Sequence, residues 1–168
     1  MATLSKRRIK PLAKPSHIRP DGNLVMVDVG SKASTLRFAH ARALVRMAPA
    51  TEAALRKATL PKGDAFVAAQ LAGIMAAKQT AQLIPLTHPL GLSQVSVAFA
   101  WAAKGLLQID ATAQTTGQTG VEMEAMTAAA VAALTIYDMT KALERGIAIE
   151  SLHLIEKRGG KSGRWRAE

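Results

Sequence analysis

GVEMEAMTAAAVAALTIYDMTKALERG, from Gly120 to Gly146, is the stretch that most limits what this chain can become. Ala, Met, Leu and Glu dominate it, so local propensity predicts a helix of about 23 residues, with Gly146 as its stop. A helix that is apolar on nearly every face must be covered on nearly every face. A lipid bilayer would do this for about 18 uninterrupted apolar residues, but the run from Ala125 to Met139 is shorter and meets Asp138 and Lys141 at its end. The helix therefore belongs in a globular core, and the rest of the chain must supply its cover.

The flanking segments can do so. NLVMVDVG, Asn23 to Gly30, and STLRFAHARALVRM, Ser34 to Met47, read as strands from their β-branched content or period-two alternation. PATEAALRKATL has Pro49 at a first-turn position and reads as a short helix. KGDAFVAAQLAGIMAAKQTAQLIP predicts a longer one, capped by Asp64 and stopped near Pro85, with Val67, Leu71, Ile74 and Met75 at helical spacing. SQVSVAFAW and GLLQIDATA alternate apolar residues on either side of a short turn, which predicts a β-hairpin. IAIESLHLIEK supplies a last strand before the glycine-rich GGKSGRWRAE. A βαββαβ core of this order predicts an α+β fold with an antiparallel sheet and its helices on one face.

At 168 residues the chain fits one domain. We expect a basic, flexible arm over residues 1–22, a catalytic domain over 23–158 and a flexible basic tail over 159–168. The proline-broken start has no apolar core of the length a secretion signal needs. Zero cysteines exclude disulfides, thiolate metal sites and a cysteine nucleophile, and a soluble, cytoplasmic protein fits this composition. Net charge is +10, from 22 Lys and Arg against 12 Asp and Glu, which attracts polyanions such as nucleic acid or a small phosphate ester. An RNA platform needs exposed aromatic residues for base stacking, and at 4% aromatic content this chain has few to offer. A nucleic-acid partner is not expected.

Four clusters can carry chemistry. Lys62 in KGD precedes a helix N-terminus, where ammonium and free backbone N–H groups can together hold a phosphate or carboxylate; it also reads as a surface lysine beside a capping aspartate. His88 in IPLTHPL precedes Pro89, which holds it extended, so its imidazole is either a ligand contact or a structural hydrogen-bonding group. The four histidines are scattered, and no metal spacing arises. Asp138 and Lys141 share a helix face in an apolar segment, as a buried proton-transfer pair or an intrahelical ion pair near a helix end. Glu122 and Glu124 diverge by about 200° on a regular helix, so they should not both cap one ligand, and Glu124 lies about 21 Å along the axis from Asp138. If Glu124 and Asp138 serve one site, two subunits related by a dyad are the simplest arrangement.

Taken together, MVDVGSK, KGDAFVAAQLAGIMAAKQT, LIPLTHPL, TGQTGVEMEAMTAAAVAALTIYDMTKAL and KRGGKSG resemble the cyclic pyranopterin monophosphate synthase family of molybdenum cofactor biosynthesis. The resemblance runs from Val25 to Gly163 and rests on five motifs in order. It implies a ferredoxin-like fold and a hexamer built as a trimer of dimers, with active sites between subunits. It further implies conversion of 3',8-cyclo-7,8-dihydroguanosine 5'-triphosphate to cyclic pyranopterin monophosphate with release of pyrophosphate, a phosphorus–oxygen lyase reaction with no cofactor or metal. By motif match, Asp138, Lys62 and Lys141 stand at catalytic positions, while Leu86, Thr87, His88, Met123, Glu124 and neighbouring Glu122 stand at substrate-contact segments. Lys32, Arg37, Lys157 and Lys161 fall where basic residues can meet the triphosphate. Two positions depart from the family pattern: Thr87 stands in place of a cysteine, and Gln118 in place of a Lys or Arg. The second weakens phosphate or purine contacts and is the one feature that favours an inactive member.

Overall fold

The structure is a computed structural model that describes residues 17–19, 21–161 and 163–167. Strand β1 (Thr35–Arg46) leads into helices α1 (Pro49–Arg56), α2 (Ala65–Lys78) and α3 (Thr80–Leu83), then the hairpin strands β2 (Gln94–Ala103) and β3 (Leu106–Gly117). Helix α4 (Glu122–Thr140) and strands β4 (Ala148–Arg158) and β5 (Arg164–Arg166) follow. The sheet is antiparallel throughout, in the order β2-β3-β1-β4-β5. Its first four strands have the ferredoxin-like βαββαβ arrangement that the element order predicts.

Alternation along the strands explains why the helices lie on one side. Ala39, Ala41, Ala43 and Val45 of β1, with Leu107, Ile109, Ala111 and Ala113 of β3, are buried on the face that meets α4. On the opposite face, His40 and Arg42 meet Asp110 at 2.6 and 2.9 Å, so that side is polar and open. The helix side of the seam is equally fine-grained, with Ala125, Ala128, Ala129, Ala132 and Ala133 fully buried. Methyl groups on both surfaces let α4 lie close to the sheet. Helix α2 packs beside α4 on the same face, over β2, and Gly73 approaches α4 so closely that a Cβ there would stand 2.8 Å from the Ala128 carbonyl oxygen.

The local readings of the sequence are partly corrected. Asp64 caps α2, its Oδ1 accepting from the N–H groups of Phe66 and Val67 at 2.9 and 3.1 Å. The single helix expected up to Pro85 is broken at Gln79, beyond which buried Thr80 turns its hydroxyl back to the Ala77 carbonyl at 3.0 Å. Asn23 to Gly30 is not a strand of the sheet: among the described residues, one isolated bridge, Leu24 to Ile18, is its only β-pairing. Its alternation is real, because Val25, Val27 and Val29 turn inward while Leu24 and Met26 face out, but both sides of β1 are already taken by β3 and β4. The closing segment, read without structure, contributes the short β5 paired to β4. The long helix ends at Thr140, before Gly146. Most of the N-terminal arm lies outside the described residues.

Candidate functional site

Two adjoining cavities of about 750 and 450 Å³ open at the N-terminal end of α4 and share Lys32, Thr119, Gly120 and Glu122. They form one cleft. Its larger end is walled by Lys32, Arg37, Lys157, Arg158 and Lys161, and its smaller end by Leu86, Thr87, His88, Met123 and Glu124 beneath Val27 and Val29. The sequence-predicted substrate contacts therefore meet in one place.

The basic end is shaped by its backbone. Arg37 donates from Nε and Nη2 to the carbonyls of Gly117 and Gln118 at 3.1 and 3.2 Å, which holds its guanidinium against the loop after β4. That loop needs its paired glycines: Gly159 and Gly160 have φ of +104° and +71°, and a Cβ on them would collide with the Leu36 carbonyl and the Arg37 guanidinium. Arg158 stacks over the Phe38 ring, 4.1 Å from its centroid, a contact that orders an otherwise mobile cation. The sequence reading missed this residue, although its place beside Lys157 in KRGGKSG was the available signal. Gln118 faces the same end and donates from its amide to the Gly30 carbonyl at 3.1 Å.

At the other end, His88 donates from Nε2 to the Val27 carbonyl at 2.8 Å, which fixes its tautomer when neutral and pins the unpaired segment over the cleft. Thr87 turns its hydroxyl to the Ile84 carbonyl at 2.8 Å, a structural bond within the turn. Glu122 and Glu124 both border the smaller end, against the expectation that their divergence separates them. They occupy the first turn of α4, and the cleft wraps over the helix end rather than lying along one side. Glu122 pairs with Lys157 at 2.8 Å. Glu124 is only 4% exposed, and burial pushes its carboxyl above the ordinary value, the nearby charge of Glu122 adding to the rise and its own backbone N–H opposing it.

Lys62, Asp138 and Lys141 lie elsewhere, at the C-terminal end of α4. Lys62 Nζ meets Asp138 Oδ2 at 3.0 Å and also donates to the Asp138 carbonyl, while Lys141 Nζ meets Oδ1 at 2.7 Å. A shallow hollow of about 300 Å³ beside them is lined by Lys62, Tyr137, Lys141, Ala142 and Arg145. Of the two readings of this pair, the intrahelical ion pair near a helix end is the one observed, with 54% of the Asp138 side chain and 51% of the Lys141 side chain accessible. Among the described residues, Asp138 and Lys141 face solvent on the outer side of the last turn of α4, while Ile136 and Thr140 are buried on its inner side. Hydrogen bonds from Lys141 and then Lys62 hold the Asp138 carboxyl below its ordinary value, and Asp138 in return raises Lys141. In a single protomer Lys141 is thus held protonated.

One chain therefore carries two groups of candidate residues, those of the cleft and the Lys62–Asp138–Lys141 cluster, at opposite ends of one helix. From Glu124 to Asp138 the axial rise is about 21 Å. Among the described residues, no His, Asp and Glu groups gather as a metal site, and no helix is long and apolar enough to cross a membrane.

Comparison with known proteins gives a consistent result. The MoaC family matches residues 26–160. A cyclic pyranopterin monophosphate synthase of Novosphingobium aromaticivorans is 57% identical over 152 residues, covering 90% of this chain and 96% of that protein. Synthases of the same name from Chloroflexus aggregans and a Nostoc species are each 54% identical, covering 91% and 92% of this chain and 93% and 92% of their own lengths.

Proposed function

Because this chain belongs to the MoaC family, we propose that it is itself a cyclic pyranopterin monophosphate synthase of molybdenum cofactor biosynthesis. The observation that carries this reading is the continuous cleft, with a basic end suited to a triphosphate and an end of apolar, imidazole and carboxyl groups suited to a purine-derived ring. The substrate is 3',8-cyclo-7,8-dihydroguanosine 5'-triphosphate. Lys32, Arg37, Lys157, Arg158 and Lys161 hold its phosphates, and the ring lies between Leu86–His88 and Met123–Glu124.

The reaction opens an aminal-like ring, rebuilds a pyranopterin and closes a cyclic phosphate. In the last step a substrate hydroxyl attacks the α-phosphorus while the α–β P–O bond breaks, and pyrophosphate leaves as the oxygen's proton passes to a base. Each step moves protons near a strongly anionic substrate, where lysines serve as acid and base in turn. Lys62 and Lys141 take these roles, with Asp138 orienting both. The enzyme is a lyase of the phosphorus–oxygen class, active in the cytoplasm without a bound cofactor, with residues 23–158 as its catalytic unit and the basic arm and tail as accessory segments.

Since the cleft and the lysine cluster are far apart in one chain, the site is completed between two protomers, and three such dimers make the hexamer. Covering by the partner desolvates Lys141 and opposes the upward pull of Asp138 on it, which frees that lysine to act as base.

Incubation of the purified protein with the cyclised GTP derivative is the direct test. Equal amounts of cyclic pyranopterin monophosphate and pyrophosphate are expected. An intact substrate after long incubation would refute the assignment and leave the Gln118 departure as a mark of an inactive member.

A further inference from the structure

The segment from Val25 to Lys32 borders the cleft without belonging to the sheet, so side chains from elsewhere must fix its position. Val25, Val27 and Val29 turn inward and are half-buried, but apolar contact alone is non-directional and does not set register. Among the described residues, two hydrogen bonds tie the backbone of this segment to the domain. His88 Nε2 donates to the Val27 carbonyl at 2.8 Å, and Gln118 Nε2 donates to the Gly30 carbonyl at 3.1 Å. His17, which bonds the Val25 carbonyl at 3.2 Å, belongs to the arm itself.

The second tether is the one beside the cations. Gly30 sits within a turn closed by the Lys32 N–H on the Val29 carbonyl at 2.9 Å, and its own N–H donates to the Asp28 carboxylate at 2.8 Å. The turn is therefore braced internally, and the bond to the Gly30 carbonyl decides where it lies. Lys32 ends that turn and borders both cavities. Gln118 is fixed in its own right, because it directly follows β3 and its carbonyl accepts from Arg37 Nη2 at 3.2 Å. One line of contacts thus runs from Arg37 through Gln118 and Gly30 to Lys32. A carbonyl only accepts, so Gln118 must offer it the amide nitrogen, and a lysine or arginine at this position would donate in the same way. The glutamine gives up a charge and keeps the donor.

We propose that Gln118 is a positioning residue: through Gly30 it holds the Val29–Lys32 turn against the cleft and so sets the Lys32 ammonium on the phosphates of the substrate. This rests on the reading of the basic end as a triphosphate site. It makes Gln118 a working part of that site rather than a sign of its loss.

Two measurements test this without requiring turnover. Trypsin cleavage after Lys32 in the ligand-free protein, followed by mass spectrometry, reads how often the turn leaves the cleft. Gln118→Leu keeps the size and loses the donor. It is expected to speed that cut about fivefold, the worth of one neutral hydrogen bond, with the melting temperature near wild type. Gln118→Lys, which restores a donor, is expected to return the cut to the wild-type rate. Calorimetric binding of inorganic tripolyphosphate reads the consequence for Lys32. Gln118→Leu is expected to weaken it about fivefold in the otherwise wild-type protein and to add nothing to Lys32→Ala, since one residue acts through the other. An unchanged cut or an unchanged affinity in Gln118→Leu would overturn the proposal. So would a loss of affinity that adds to that of Lys32→Ala, because Gln118 would then act on the anion by itself. A protein that shows both effects but forms no product from the cyclised GTP derivative keeps the tether and loses the functional reading. Product formation with neither effect does the reverse.

Discussion

Lys157 Nζ lies 2.8 Å from Glu122 Oε1, so strand β4 and the first turn of α4 are tied across the mouth of the cleft. In the proposed function the pair has a double use, since it neutralises an acid beside the proposed triphosphate end and keeps a cation in reserve. Lys157→Ala removes both. It is expected to raise KM for the triphosphate substrate about tenfold, the worth of one charge-assisted hydrogen bond, with kcat reduced much less. Steady-state kinetics on the variant checks this, and an unchanged KM would remove Lys157 from the phosphate-binding set.

The lysine cluster should separate activity from stability. Lys62 and Lys141 are about half exposed and make surface ion pairs, which contribute little to folding. Lys62→Ala and Lys141→Ala are each expected to lower kcat at least about a hundredfold, the usual range for loss of a positioned acid or base, while thermal melting stays near wild type. Near-normal product formation by either variant would refute its catalytic role.

Glu124 gives a pH signature. Because burial raises its folded pKa above the unfolded value, the native state binds the proton more readily. Stability should therefore rise as pH falls from above the folded pKa towards the ordinary glutamate value, and be lost again from this group as pH increases. Glu124→Gln is expected to raise the melting temperature at pH 7 by about 2 °C and to flatten that part of the profile. Melting curves between pH 4 and 8, scanned for both proteins, supply the comparison.

Gly73 tests the helix seam. Alanine is worth about 1 kcal/mol more than glycine in a helix interior, but here its methyl would meet the Ala128 carbonyl oxygen at 2.8 Å and Val97 Cγ2 at 3.0 Å. A backbone oxygen cannot turn aside, so overpacking should win. Gly73→Ala is expected to destabilise by about 1–2 kcal/mol net, read from denaturant midpoints. A more stable variant would mean that α2 is free to shift on α4.

Much of this architecture could be read along the chain, because alternation and helical spacing record which side of each element is covered. The hairpin, β1, the Asp64 cap and the core of α4 all follow from such patterns. The misses share a cause. Val25, Val27 and Val29 alternate as a strand does, but whether their backbone finds a partner depends on which sheet edges are free. The break at Gln79 depends on a hydroxyl finding a carbonyl one turn back. Whether Asp138 and Lys141 form a buried pair or an ion pair near a helix end was left open by their apolar neighbours, because exposure depends on which side of the last helical turn the fold covers. The cleft was legible as separate motifs, but its unity was not, since Lys32 and Lys157 are joined only by folding.

The alanine seam under α4 has one more consequence. A methyl side chain has no rotamers, so ordering this interface costs no side-chain entropy, and it has no alternative packing into which to relax. Long side chains would let the helix slide and repack; these surfaces can only fit or separate. Helix α4 thus works as a gauge block: the spacing between Glu124 at one end and Asp138 at the other is set by backbone rise alone.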